Sequence, residues 1–249
     1  MKVLLAIPNQ DFDPTEAAVP WKLLTEAGIE VVVATPEGGP AAADPIVLEG
    51  KQLGLLRALL QADANGRRVY REFHASACSE SRCYDELRSE DFDALLLPGG
   101  HAPKTRPHLE SEPLRRLISE FFAADKVVAA VCHGVVAVAR ARRPDGKSVL
   151  YGRKTTALTE AMELFAWNLT KKRLGDYYRT YPQTVQQEVT QALQSPDDFS
   201  CGPRPFLRDT ASKPSRGFIV EDGNYISARY PGDIHRFSHA LLAKLQSSH

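Results

Sequence analysis

Cys132, His133 and Gly134 carry the most chemical promise, because they stand between two apolar runs with no room for a loop. A thiol beside an imidazole can serve as a nucleophile with a base at hand, and thiolates add to carbonyl and acyl carbons. Val127 to Val131, just before them, is unbroken and apolar, as a strand buried on both faces would be. Val135 to Ala139, just after them, reads as a buried helix. A strand that enters a helix within two or three residues makes a sharp elbow. Its apex faces free N–H groups and the positive end of the helix, where a thiolate is favoured. The bland alternative for Cys132 is a small buried apolar residue, and the residues alone weigh the two about evenly.

Two other places belong with the elbow. Glu16 opens a helix behind Asp13-Pro14-Thr15, and Gly99-Gly100-His101 follows the apolar run Phe92 to Leu97. All three lie at carboxyl ends of expected strands, where open α/β sheets place their sites. Glu16 is a candidate acid near sulfur, and the N–H groups of Gly100 and His133 are candidate donors to an oxyanion. Taken alone, Glu16 is better read as a carboxylate at a helix start. Adjacent side chains in regular structure do not face each other, so His133 meets Cys132 only through irregular elbow backbone. Otherwise His101 or another histidine must serve. His235 and His239 have a metal-binding spacing, but no catalytic glutamate lies between them, and an exposed helix face fits better.

The elements that must position these groups are readable in order. Val3 to Ile7 is a strand, Asp13 caps a helix that Gly28 stops, and Glu30 to Thr35 is a second strand. That β-α-β opening implies a parallel sheet with a right-handed crossover. Lys51 to Ala62 and Cys78 to Leu87 have weak helical patterns. A better-marked amphipathic helix, carrying Leu114, Leu117, Ile118, Phe121 and Phe122, leads into the elbow. Beyond it, Val149 to Leu158 has strand-like pieces, and Thr159 to Leu169 and Thr184 to Leu193 suit helices. Residues 196–216, rich in proline, form a candidate lid or surface loop. Phe218 to Ala228 suits a hairpin and Ile234 to Leu245 a closing helix. The expectation is one α/β domain over residues 1–249, a mainly parallel sheet sandwiched by helices.

Composition narrows the partners. With 31 basic and 31 acidic residues the net charge is zero, which argues against nucleic acid or a membrane surface held by charge. No apolar run reaches membrane-span length, and Met1 to Pro8 turns polar too soon for a signal peptide. The four scattered cysteines suit reduced thiols and a cytoplasmic home. No metal site is expected.

Ala130-Val-Cys-His-Gly134, Leu96-Leu-Pro-Gly-Gly-His101 and Phe12-Asp-Pro-Thr-Glu16 together resemble the ThiJ/PfpI superfamily, with its flavodoxin-like, class I glutamine amidotransferase-like fold. Their order, and the histidine after cysteine, are most similar to its chaperone-like, glutathione-independent glyoxalase branch. The resemblance implies Cys132 as nucleophile, His133 as base, Glu16 hydrogen-bonded to sulfur, and Glu163 orienting His133, with Glu160 the nearer misalignment. It implies a small reactive carbonyl as substrate, no cofactor, and a stress-protection role. Gly99, His101, Arg229 and Tyr230 are pocket candidates, the last two standing where the branch has a small polar turn. A cysteine amidase or peptidase and a redox-responsive chaperone remain alternatives, and a homodimer is left open.

Overall fold

The computed structural model describes residues 1–204 and 207–247. Its nine strands among those residues are β1 (Lys2–Ala6), β2 (Gln10–Phe12), β3 (Glu30–Thr35), β4 (Ala42–Ala43), β5 (Arg82–Cys83), β6 (Ala94–Leu97), β7 (Val127–Val131), β8 (Ile219–Asp222) and β9 (Tyr225–Ala228). Seven of them form one sheet in the order β5-β3-β1-β6-β7-β9-β8. Every neighbouring pair is parallel except β8 with β9. β2 and β4 make a separate two-stranded piece.

The helices are α1 (Pro14–Glu26), α2 (Pro45–Glu49), α3 (Arg57–Leu60), α4 (Ala64–Ala77), α5 (Arg106–Leu109) and α6 (Glu112–Ala123), then α7 (Gly134–Arg140), α8 (Glu160–Leu174), α9 (Val185–Ala192) and α10 (Ile234–Ser247). β1 from Val3 onward, β6 and β7 are apolar because helices cover both faces. Val3, Leu5, Leu96 and Ala129 join Trp21 of α1, Phe73 of α4 and Phe237 of α10 in one core. Leu4, Leu95, Leu97 and Val128 join Ile118 of α6, Val135 of α7 and Val189 of α9 in the other. The architecture is the expected one, a mostly parallel sheet with flanking helices. None of the helices among the described residues is long and apolar enough to cross a membrane.

Local signals set several boundaries. The Asp13 side chain accepts from the backbone N–H groups of Thr15 and Glu16 at 2.8 and 3.1 Å, so α1 starts where its cap lies. Thr184 and Gln187 form a reciprocal capping box at α9. Elsewhere the pattern misleads. Residues 51–62 hold only the short α3 and a 3-10 turn, and 78–87 hold β5 and another such turn. The helix of this region is α4, capped by Asp63, whose buried residues include Val69, Tyr70 and Phe73. Gly66, Arg67 and Arg68 dilute that stripe in the sequence. Residues 149–158 form no strand. The stretch 196–216, of which Pro205 and Phe206 lie outside the described residues, has backbone contacts on either side of them. Arg229 holds the carbonyls of Pro203 and Cys201 at 2.6 and 3.3 Å, and Asp209 N donates to Gly232 O at 2.7 Å.

Gly134, the first residue of α7, lets that helix start directly against the end of β6. A Cβ there would run into the Leu97 carbonyl oxygen and come within 2.9 Å of the Pro98 oxygen, both main-chain atoms. Neither can swing aside. Gly134→Ala is therefore expected to destabilise the protein by about 3 kcal/mol, read as a lower midpoint in urea denaturation.

Candidate active site

β7 ends at Val131, and Cys132 follows with φ +58° before α7 begins. A non-glycine residue in the left-handed region costs about 1 kcal/mol or more, and such strain gathers at functional sites. This irregular turn does what regular structure cannot: it brings neighbouring side chains together. Cys132 Sγ and His133 Nδ1 are 3.5 Å apart. Both residues are buried, Cys132 7% and His133 1% exposed.

The far side of the imidazole is held by a residue that the sequence reading did not single out. His133 Nε2 lies 3.0 Å from Thr180 Oγ1, and that hydroxyl donates to the His101 carbonyl at 2.6 Å. A hydroxyl has one proton to give. With it spent on His101, Thr180 must accept from His133, so the proton sits on Nε2 and the Nδ1 lone pair faces sulfur. Burial pushes the His133 pKa down to about 3, which keeps the ring neutral and able to accept a proton at pH 7. Thr180 is itself fixed by Arg106, whose Nε and Nη2 donate to its carbonyl at 2.9 and 2.5 Å.

Glu163 does not take the expected place beside His133. Its Oε2 accepts from Val185 N at 2.8 Å and its Oε1 is 3.5 Å from Arg179 Nε. The first turn of α8 thus aims this carboxyl at the start of α9, while its residue still lines the cavity over Cys132. Burial raises its pKa to about 7. Glu160 is no substitute, since it accepts from Thr184 and Gln187 at 3.4 and 2.9 Å.

Glu16 and the glycine turn meet the elbow. Glu16 is fully buried, its Oε2 accepts from Gly99 N at 2.8 Å, and its Oε1 has no ordinary hydrogen-bond partner. Gly99 is thereby committed to Glu16, and a Cβ on it would be 2.7 Å from His133 N. Gly100 and His101 line the cavity. His101 stacks on Tyr178 with ring centroids 4.0 Å apart, and its Nε2 is 3.5 Å from Asp44 Oδ2. Tyr230 also lines the cavity. Arg229 does not. It is 2% exposed and paired with Asp233 through Nε and Nη2 at 2.8 and 2.9 Å. Its bulk sits under the 201–203 backbone, not toward a substrate.

The electrostatics differ from a ready thiolate. Burial first, then the charges of Glu16 and Asp13, push the Cys132 thiol up, while the His133 backbone N–H pulls it down. Burial and Asp13 likewise push Glu16 well up. Two anions in contact at a dry site are costly, so this pair keeps at least one proton at neutral pH. Glu16→Gln removes one charge, yet its amide oxygen can still accept from Gly99 while its NH₂ donates to sulfur. The thiol pKa should therefore fall in Glu16→Gln. Because the thiolate is the form that alkylates, labelling of Cys132 by iodoacetamide should rise at a lower pH than in wild type, as mass mapping would read. An unchanged or upward-shifted profile would mean that the carboxyl's charge does not oppose the thiolate.

Comparisons with known proteins bear on the fold and the family. Residues 7–203 match the family model described as ThiJ/PfpI family-like. A glutathione-independent glyoxalase of Schizosaccharomyces pombe is 31% identical over 153 residues, 60% of this chain and 59% of that protein. The chain thus spans less than two thirds of that relative. A deglycase of Pyrococcus furiosus is 24% identical over 246 residues, covering 99% of this chain and 100% of its own. The crystal structure of glyoxalase III from Candida albicans superposes with a TM-score of 0.64 at 19% identity, covering 98% of this chain and 97% of the other. At that identity the likeness speaks for the fold.

Proposed function

The chain belongs to the ThiJ/PfpI family, and from that premise we propose that it is a cysteine enzyme of small reactive carbonyls, converting methylglyoxal to lactate without glutathione. The observation that carries this reading is the alignment of Cys132 Sγ, His133 Nδ1 and Thr180 Oγ1, at 3.5 and 3.0 Å along one imidazole. A relative named as a glyoxalase and another named as a deglycase support the substrate class.

The chemistry follows from where the protons are. Cys132 adds to the aldehyde carbon as its proton passes to the neutral His133 Nδ1, giving a hemithioacetal oxyanion. Gly100 N–H and His133 N–H are the candidate donors to that oxygen. Once the oxyanion has taken up the proton, Nδ1 is free to remove hydrogen from the same carbon, and an enediol forms. Returning the proton to the neighbouring carbon leaves a lactoyl thioester. Water then cleaves the C–S bond, releasing lactate and restoring the thiol. The net reaction is methylglyoxal plus water to lactate, with no outside oxidant or reductant. When sulfur is the anion, the proton shared by the pair lies on Glu16, which then donates a hydrogen bond to it.

The test is direct. Purified protein should form lactate from methylglyoxal with no glutathione present, and treatment with a chelator should leave the rate unchanged. Failure to turn over methylglyoxal, with Cys132 still open to alkylation, would overturn the substrate assignment. Loss of activity on chelation would overturn the metal-free mechanism.

A further inference from the structure

The cavity above Cys132 has more room, and a drier wall, than a three-carbon carbonyl needs. Its volume is about 300 Å³, the lower end of the range that holds small organic ligands. Its floor is polar: Cys132, Gly100, Glu16 and Tyr178 line it, and the Tyr178 hydroxyl is buried without a hydrogen-bond partner. Such an atom calls for a polar group from a ligand. Above the floor the wall changes character. Val47, Leu59 and Leu60 stand in it together with Met162, Phe165 and Ala166 of α8. Phe165 is 56% and Leu59 47% exposed, so the apolar wall continues to the mouth, the kind of surface that marks a binding site.

Charge narrows the occupant. Asp13, Glu16 and Glu163 all line the cavity, and Arg208 is the one cation among its described lining residues. That cation is already engaged, with Nη2 donating to Leu59 O at 2.8 Å and its charge acting on Asp13. An anionic substrate would meet three acidic residues against a single cation whose charge already acts on Asp13. A polyhydroxylated one would bury hydroxyls against leucine and phenylalanine without partners. Resting on the reading of Cys132 as a carbonyl nucleophile, we propose that the preferred substrates are neutral 2-oxoaldehydes bearing an apolar chain or ring. The dicarbonyl head sits on the polar floor at Cys132, and the tail lies between Leu59 and Phe165.

The experiment is a substrate series: methyl-, propyl-, pentyl- and phenylglyoxal, with a polyhydroxylated 2-oxoaldehyde for contrast. The kcat/KM should climb roughly three- to fourfold for each methylene that becomes buried, and the polyol should fall below methylglyoxal. Phe165→Ala should shrink the pentyl-to-methyl ratio. A flat or falling series overturns the proposal. A second measurement needs no turnover: protection of Cys132 from iodoacetamide by hexanamide against acetamide. Stronger protection by hexanamide supports the apolar subsite even if no glyoxal reacts, in which case the glyoxalase reading alone is lost. Equal protection by the two amides overturns the subsite whatever the turnover.

Discussion

Cys132→Ser is expected to lose at least roughly 10⁴-fold in kcat, falling to the level of Cys132→Ala, as the loss of a nucleophile does in triad enzymes. The obvious rescue, a hydroxyl in place of a thiol, fails here for a specific reason. A serine nucleophile needs a strong base, and in serine triads a carboxylate on the far imidazole nitrogen supplies that strength. In this protein the far nitrogen faces the neutral hydroxyl of Thr180, and burial holds His133 down to about 3. A thiol is acidic enough to give such a base its proton as sulfur attacks and an alcohol is not, whereas the later loss of hydrogen from carbon is eased by the adjacent carbonyl, whose oxygen takes the charge. Lactate formation by the two variants, with circular dichroism to confirm the fold, is the measurement. A serine variant with a tenth of wild-type activity would show that His133 is a far stronger base than its surroundings allow.

Thr180→Val is expected to slow turnover roughly 10²-fold, the lower range for disabling an acid–base group, with KM little changed. Valine keeps the shape but can neither accept from His133 Nε2 nor donate to the His101 carbonyl. The ring then loses its preferred tautomer, and the Nδ1 lone pair no longer points at sulfur. Thr180→Ser restores the hydroxyl and should restore most of the rate, which separates positioning from mere packing. Glu163→Gln is the companion measurement, because its amide oxygen still accepts from Val185 N. It should cost only a few-fold in kcat, since no atom of Glu163 is hydrogen-bonded to His133. The reverse ranking, with Glu163→Gln damaging and Thr180→Val silent, would restore the glutamate as the orienting group.

These two residues also show what a sequence of this kind gives up and what it keeps. β1, β6 and β7 were legible because burial on both faces demands apolar runs, and α1 because Asp13 and Pro14 mark its start. The Cys132 elbow was legible because nothing separates its strand from its helix. Thr180 was not, because it lies in the irregular stretch between α8 and α9 and is placed by Arg106, 74 residues away in the chain. No local pattern announces such a contact. The α8 helix was expected, but its rotation was not, and that rotation sends Glu163 to the Val185 amide instead of to His133. Arg229 misled for a similar reason: its partner Asp233 lies four residues along, and together they form a buried brace rather than a pocket wall.

The order in which the sheet is threaded bears on when the protein can become active. β9 lies beyond β7, and Cys132 N donates to Ala228 O at 3.1 Å, so the elbow rests on a strand that follows it in synthesis. Glu16, Gly100, Cys132, His133 and Thr180 all emerge from the ribosome before that support exists, because synthesis proceeds from the N-terminus. A nascent chain that has reached residue 203, where the family match ends, carries the whole set of reacting groups on a sheet whose β7 is still an unpaired edge. A chain cut short of β9 would keep each of these side chains and lack the strand on which the elbow rests.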